Sequence, residues 1–345
     1  MKFEILKKLE KIRKSLFWQN LIRFSLKPIF DLFWKYIINF QGRILFIFFH
    51  SYKKIEKNFN LNFVKNDKII IHDDIGLKNI SSVIFEHIKE KDLIKKSYER
   101  LNSGNFTSGD NKYKSGSNAY VDDLFDLLDD QIKEKIVKFA INHKIYLSAS
   151  KYLGVLPVIA KINVVHNIEN KSKTPRASML WHKDDFGYKS LDLFLAISDI
   201  NEENGPLEFV KKKNPLGIFY KIKSNLDDQK AGQRNKIQNS QFSKYFKDND
   251  IDRLIGKSGT GLLIDSFSVY HRGGNCNSTN RLILRISYQT PDSYTLSKKD
   301  KFIFFKYLKD NKTDNFINRY SLTKRYIFDY SKYLLKFYRI FHYRA

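Results

Sequence analysis

Between residues 281 and 288 the chain reads Arg-Leu-Ile-Leu-Arg-Ile-Ser-Tyr, a strict alternation that only a β-strand turns into two distinct faces. Leu282, Leu284, Ile286 and Tyr288 form an almost wholly apolar face, suited to a packed layer. The other face carries Arg281, Ile283, Arg285 and Ser287 into the interior or mouth of a barrel. An unpaired buried charge costs on the order of several kcal/mol, so that face predicts an anionic partner. A carboxylate gripped by the planar fork of Arg is the natural candidate.

Strand-like texture recurs on both sides of this segment. Ile162 and Val164 alternate with Lys161 and Asn163. Leu191, Leu193, Leu195 and Ile197 alternate with Asp192, Phe194, Ala196 and Ser198, and Gly261-Leu262-Leu263-Ile264 follows. Lys68–His72 reads as a further short strand and residues 78–100 as a helix. Residues 102–118 form a polar Gly/Ser/Asn-rich loop. Val121, Leu124, Phe125, Leu128, Ile132, Ile136 and Phe139 recur at helical spacing. The pattern predicts a mainly β core with flanking helices, an α+β arrangement. Three segments are expected. A basic, aromatic-rich helical extension over 1–60 precedes a catalytic-sized domain over 61–300, and a second basic helical extension covers 301–345. A polar stretch, 211–258, is too long for a turn and reads as a lid or substrate loop.

Charge separates these segments further. The 345 residues carry 62 Lys and Arg against 37 Asp and Glu, a formal net charge of +25. Residues 1–60 hold 13 basic against 4 acidic side chains, and residues 301–345 hold 11 against 3. Basic character interleaved with Phe, Tyr and Trp suits peripheral contact with a membrane surface. A lysine-rich composition with no partner behind it, and helices packed on the domain, are the competing readings. Charged residues interrupt residues 1–60 too often for a membrane-spanning helix, and no cleavable leader is expected. The single cysteine, Cys276, excludes an intramolecular disulfide framework and fits a reducing, cytoplasmic setting.

Trp181-His182-Lys183-Asp184 sets a histidine and a carboxylate two residues apart, a spacing that lets both reach one point from a strand. Val269-Tyr270-His271-Arg272-Gly273-Gly274 offers a second histidine. Two imidazoles and one carboxylate make the facial triad of non-haem Fe(II), which leaves positions open for a chelating cosubstrate and O₂. His72-Asp73-Asp74 repeats the His-x-Asp spacing without these companions and reads as a surface strand-to-turn junction. His50, His87, His143, His166 and His342 have no spacing argument and default to core or surface roles.

Over roughly residues 150–292 the sequence resembles the phytanoyl-CoA dioxygenase-like (PhyH) family of Fe(II)/2-oxoglutarate oxygenases. The matching pieces are Ser178–Asp184, Asn204–Val210, Gly261–Phe267 running on to His271–Asn275, and Arg281. The resemblance implies a double-stranded β-helix (jelly-roll, cupin-like) wrapped by terminal helices. It implies iron at His182, Asp184 and His271, and 2-oxoglutarate anchored by Arg281. The implied reaction is hydroxylation of a C–H bond coupled to decarboxylation of 2-oxoglutarate to succinate. Asp184 stands where related halogenases carry Ala or Gly, which favours hydroxylation. Arg281 and Arg285 lie four apart rather than the six of nucleic-acid demethylases, so nucleic acid is not the expected partner. Arg285 is assigned either to a cosubstrate or substrate anion or to an internal ion pair. Asn163 and Lys161 are secondary candidates for cosubstrate contact. Lys211-Lys212-Lys213-Asn214-Pro215 departs from the family's usual tail, so the substrate, whether small molecule, lipid or sugar, does not carry over. A non-catalytic jelly-roll binding a membrane or polyanion through its basic termini is the alternative.

Overall fold

The computed structural model describes residues 43–44, 46–47, 68–72, 74–103, 120–142, 144–169, 177–184, 189–211, 236–277 and 279–290. Among these residues the alternating segment forms strand β11 (Arg281–Gln289) inside a six-stranded antiparallel sheet. In chain-order numbering the neighbours are β1 (Lys68–Ile71), β9 (Gly261–Ile264), β5 (Ser190–Ala196), β11, β3 (Val158–Asn167) and β2 (Val121–Asp123), in that spatial order. A second sheet, five-stranded among the described residues, runs β7 (Lys236–Ile237), β4 (Trp181–His182), β10 (His271–Gly273), β6 (Leu207–Val210), β8 (Ile251–Arg253). All pairings in both sheets are antiparallel. Two antiparallel sheets with helices on the outside make the mainly β core that the strand pattern predicts and the jelly roll that the family resemblance implies.

Period-2 alternation decides what each sheet face buries. Leu282, Leu284, Ile286 and Tyr288 join Leu191, Leu193, Leu195, Ile162 and Val164 in the outer apolar cluster. Helices α1 (Ile75–Glu90), α3 (Asp130–Asn142) and α4 (Lys144–Leu153) cover that face. Ile283 points the other way, with Phe194, Ala196, Leu262 and Ile264, against Leu207 and Phe209 of the second sheet. A separate cluster behind the second sheet gathers Trp181, Val210, Ile237, Phe242, Phe246 and Tyr270.

Several boundaries differ from the sequence reading, each for a local reason. The 78–100 helix is two helices, α1 and α2 (Leu93–Ser103), broken where Asp92 takes φ 51°. The apolar series from Val121 is not one helix. Val121–Asp123 pairs along the edge of β3, Phe125–Leu127 is a single 3₁₀ turn, and the helix starts at Asp130. The Asp123 carboxylate explains the break, because it accepts from the backbone N–H of Phe125 and Val164 and so competes with helical hydrogen bonding. The stretch 211–258 is only partly outside the core. From residue 236 onward it supplies β7, β8 and helix α5 (Asn239–Phe242), whose Phe242 stacks on Trp181 at 4.0 Å. Short strands of two and three residues carry too little periodicity to be read from sequence.

Residues 1–60 and 301–345 lie outside the described residues apart from Arg43, Ile44, Phe46 and Ile47, which are helical. Phe46 packs against the outer apolar cluster. Among the described residues no helix is long and apolar enough to cross a membrane.

Candidate metal centre

The second sheet brings the two histidines together. His271 and His182 are register partners in adjacent strands, and His271 also pairs with Phe209 of β6. Trp181 and Arg272 alternate to the outer face, so both imidazoles point between the sheets with ring centroids 4.5 Å apart. Each ring is fixed in the same way. His182 Nδ1 lies 2.7 Å from the carbonyl of Leu180 and His271 Nδ1 lies 3.0 Å from that of Val269. A carbonyl only accepts, so Nδ1 carries the proton in both rings and the Nε2 lone pairs are left for a metal.

Asp184 does not share a strand face with His182, because β4 ends at His182. Its backbone N–H donates instead to the Ser266 carbonyl at 2.8 Å, and this turns the carboxylate toward the same point. Asp184 Oδ1 is 3.8 Å from His182 Nε2, and Oδ2 is 3.9 Å from His271 Nε2. Potential ligand atoms of the three residues fall within 4.8 Å of one another, and all three are buried. Among the described residues it is the one such convergence of His, Cys, Asp or Glu.

The electrostatics favour a cation. Burial alone would raise the Asp184 carboxyl, but Arg285, His271 and His182 outweigh it and hold it well below the usual carboxylate range. Burial lowers His271, against the pull of Asp184, so a neutral imidazole with an available lone pair is the resting form.

The two arginines of β11 have different surroundings. Arg285 Nη2 donates to Asp184 Oδ2 at 2.5 Å and to Asp192 Oδ2 at 2.9 Å. Burial disfavours its charge, but Asp192 and Asp184 reverse that and raise its pKa. Of the two sequence assignments for Arg285, the internal ion pair is the arrangement found. Arg281 is 4% exposed and donates through Nη2 to Asn167 Oδ1 at 3.1 Å. Its Nε and Nη1 are buried without a hydrogen-bond partner, and among the described residues no carboxylate pairs with it. Burial accordingly lowers its pKa. A Cβ on Gly273, two residues beyond His271 along β10, would lie 3.4 Å from Arg281 Nη2. The guanidinium therefore lies beside the position two residues past the histidine on the same strand.

Of the secondary candidates, Asn163 donates to Asp123 Oδ2 at 2.6 Å. Asp74 of the second His-x-Asp caps α1, accepting from Leu77 N–H at 3.1 Å, while His72 is exposed at the end of β1. The sequence reading missed Asp192 and the turn after β9. Asp265 accepts from the N–H groups of Phe267 and Ser268, both at 3.1 Å, and from Tyr152 Oη at 2.6 Å. The signal for Asp192 was present in its alternation with Leu191 and Leu193, which places a carboxylate on the inward face.

No family model matches the chain, and no curated protein matches it. Among solved structures, it is similar to the epimerase SnoN in complex with Fe3+, alpha ketoglutarate and nogalamycin RO, at 16% identity and TM-score 0.40, covering 67% of this chain and 82% of that one. It is also similar to EctD from S. alaskensis with 2-oxoglutarate and 5-hydroxyectoine, at 13% identity and TM-score 0.45, covering 68% and 76%. AviO1 from Streptomyces viridochromogenes Tue57 matches at 14% identity and TM-score 0.39, covering 67% and 93%.

Proposed function

We propose that the protein is an Fe(II)/2-oxoglutarate-dependent dioxygenase of the phytanoyl-CoA dioxygenase-like kind, hydroxylating a C–H bond of a small-molecule, lipid or sugar-type substrate. The observation that carries this reading is the Arg281 guanidinium, buried beside the strand that bears His271 with no counter-ion among the described residues. A positive charge held this way is complementary to a carboxylate that the protein itself does not supply.

The residues fit the metal and the cosubstrate. His182 Nε2, Asp184 and His271 Nε2 form a buried two-nitrogen, one-oxygen donor set suited to Fe(II). When bound, iron with 2-oxoglutarate and O₂ supplies the oxidising power for C–H hydroxylation as 2-oxoglutarate loses CO₂ to give succinate. The chain's own part is positional. Two backbone carbonyls fix the imidazole tautomers, Ser266 turns Asp184 inward, and Arg281 receives the distal carboxylate of the cosubstrate. Phe194, Phe209, Leu262 and Val269 form an apolar layer between the sheets that excludes water from the interior. Asp184 occupies a ligand position that would otherwise admit halide, which supports hydroxylation.

The test is production of succinate from 2-oxoglutarate by the full chain with Fe(II) under air. Slow succinate formation without added substrate, lost in Asp184→Ala and His271→Ala, is the expected result. Succinate at the same rate in all three proteins, or none in folded wild type, contradicts the reading. The basic, aromatic termini support action near a membrane surface as a further part of the proposal. Vesicle co-sedimentation unaffected by deleting residues 1–60 or 301–345 would oppose it.

A further inference from the structure

Asp184 is linked to a second carboxylate, that of Asp192, through the Arg285 guanidinium. Asp192 lies on β5, inward-facing and fully buried, registered opposite Ser287 of β11 and Ile264 of β9. A single nitrogen, Arg285 Nη2, donates to Oδ2 of Asp192 and to Oδ2 of Asp184. The Arg285 guanidinium lies over the Phe194 ring, with Cζ 5.2 Å from its centroid. Its charge is thus already balanced by protein carboxylates, unlike that of Arg281.

We propose that Arg285, braced by Asp192, is a positioning residue that fixes Asp184 as a one-oxygen metal ligand. The inference rests on the metal-centre reading above. An engaged Oδ2 leaves Oδ1, the oxygen facing His182 Nε2, as the metal-directed atom. A carboxylate free to rotate could offer both oxygens and occupy a position that the cosubstrate and O₂ need. Asp192 sets the arginine because its β5 backbone is locked between two strands, whereas Asp184 lies past the end of β4. Groups that orient metal ligands typically contribute 10–100-fold to metal affinity.

The test is titration of metal-free full-length protein with Co(II), reading both the apparent dissociation constant and the visible d–d spectrum. Wild type, Asp192→Asn, Arg285→Lys and Arg285→Gln are compared, with the melting temperature of each metal-free protein measured alongside. Asp192→Asn and Arg285→Gln are expected to bind Co(II) about 10–100-fold more weakly with an altered spectrum. Arg285→Lys, which keeps the charge but loses the fork, falls between them and wild type. If Arg285→Gln fails to fold, the near-isosteric Asp192→Asn and the Lys variant carry the comparison. Unchanged affinity and spectrum in variants of lowered melting temperature would overturn the proposal, leaving a structural ion pair only. Wild type that does not bind Co(II) would overturn the metal centre itself, a separate and recognisable failure.

Discussion

His182 and His271 face each other across one antiparallel register position, and each ring is tied by Nδ1 to the carbonyl two residues before it. The metal-directed face of the site is therefore set by backbone geometry, which makes it sensitive to the turns that hold that backbone.

The turn that delivers His271 is built on Asp265, buried and accepting from Phe267 N–H, Ser268 N–H, Ser268 Oγ and Tyr152 Oη. The N–H of Val269, whose carbonyl orients His271, donates to the Asp265 carbonyl at 2.9 Å. Asp265→Ala should cost about 2–4 kcal/mol of stability and weaken metal binding, whereas Tyr152→Phe should cost about 1 kcal/mol. Urea unfolding and metal titration of both variants check this. Equal effects would show that the tyrosine contact, not the turn, matters.

Two sequence pieces far apart in the chain meet through glycines. Gly205 has φ +67° and a Cβ there would lie 2.4 Å from the Asn275 backbone, while one on Gly274 would lie 2.5 Å from the Pro206 carbonyl. Neither neighbour is a flexible side-chain tip. Gly205→Ala should lose about 2–4 kcal/mol, from left-handed strain plus overpacking, and Gly274→Ala about 1–3 kcal/mol. Chemical denaturation gives both values, and Gly154→Ala, with φ +67° but open space, isolates the strain component.

His166 gives stability a pH dependence. Burial lowers its pKa to about 4, against the pull of Asp122, from an ordinary value near 6.5. Between those values the unfolded chain binds the proton and the folded chain does not, so stability rises with pH through that window. About 3 kcal/mol should be present above pH 6.5 and lost progressively toward pH 4. Urea unfolding at several pH values should show a shallower slope in His166→Gln. An unchanged slope would mean that another group governs it.

Arg281 should trade stability for binding. Arg281→Met removes a buried charge that has no counter-ion among the described residues and should stabilise the metal-free protein by about 1–4 kcal/mol. The same change should raise the 2-oxoglutarate requirement about 10–150-fold, the equivalent of a charge-assisted contact. Melting temperature and 2-oxoglutarate titration read the two effects independently. A destabilised variant with unchanged binding would mean that the guanidinium is a structural element.

How much of this was legible in the sequence follows from range. The β11 alternation and its inward arginines depend on local spacing, and the sheet places them accordingly. The pairing of Arg285 with Asp192 spans 93 positions and is fixed by which strands neighbour β11, which periodicity does not state. The same limit applies to β7 and β8, where two- and three-residue strands take their structure from β4 and β6. Asp184 shows the opposite case: the spacing indicates the right residue, but a hydrogen bond to Ser266, not strand alternation, aims it.

Anaerobic titration of metal-free protein with Fe(II) and 2-oxoglutarate tests the central claim most directly, through the weak visible charge-transfer band of the bound chelate. The band should form in wild type, vanish in His271→Ala, and need far more 2-oxoglutarate in Arg281→Met. Folded wild-type protein that binds neither Fe(II) nor 2-oxoglutarate and shows no band would contradict the oxygenase account and favour a non-catalytic binding module.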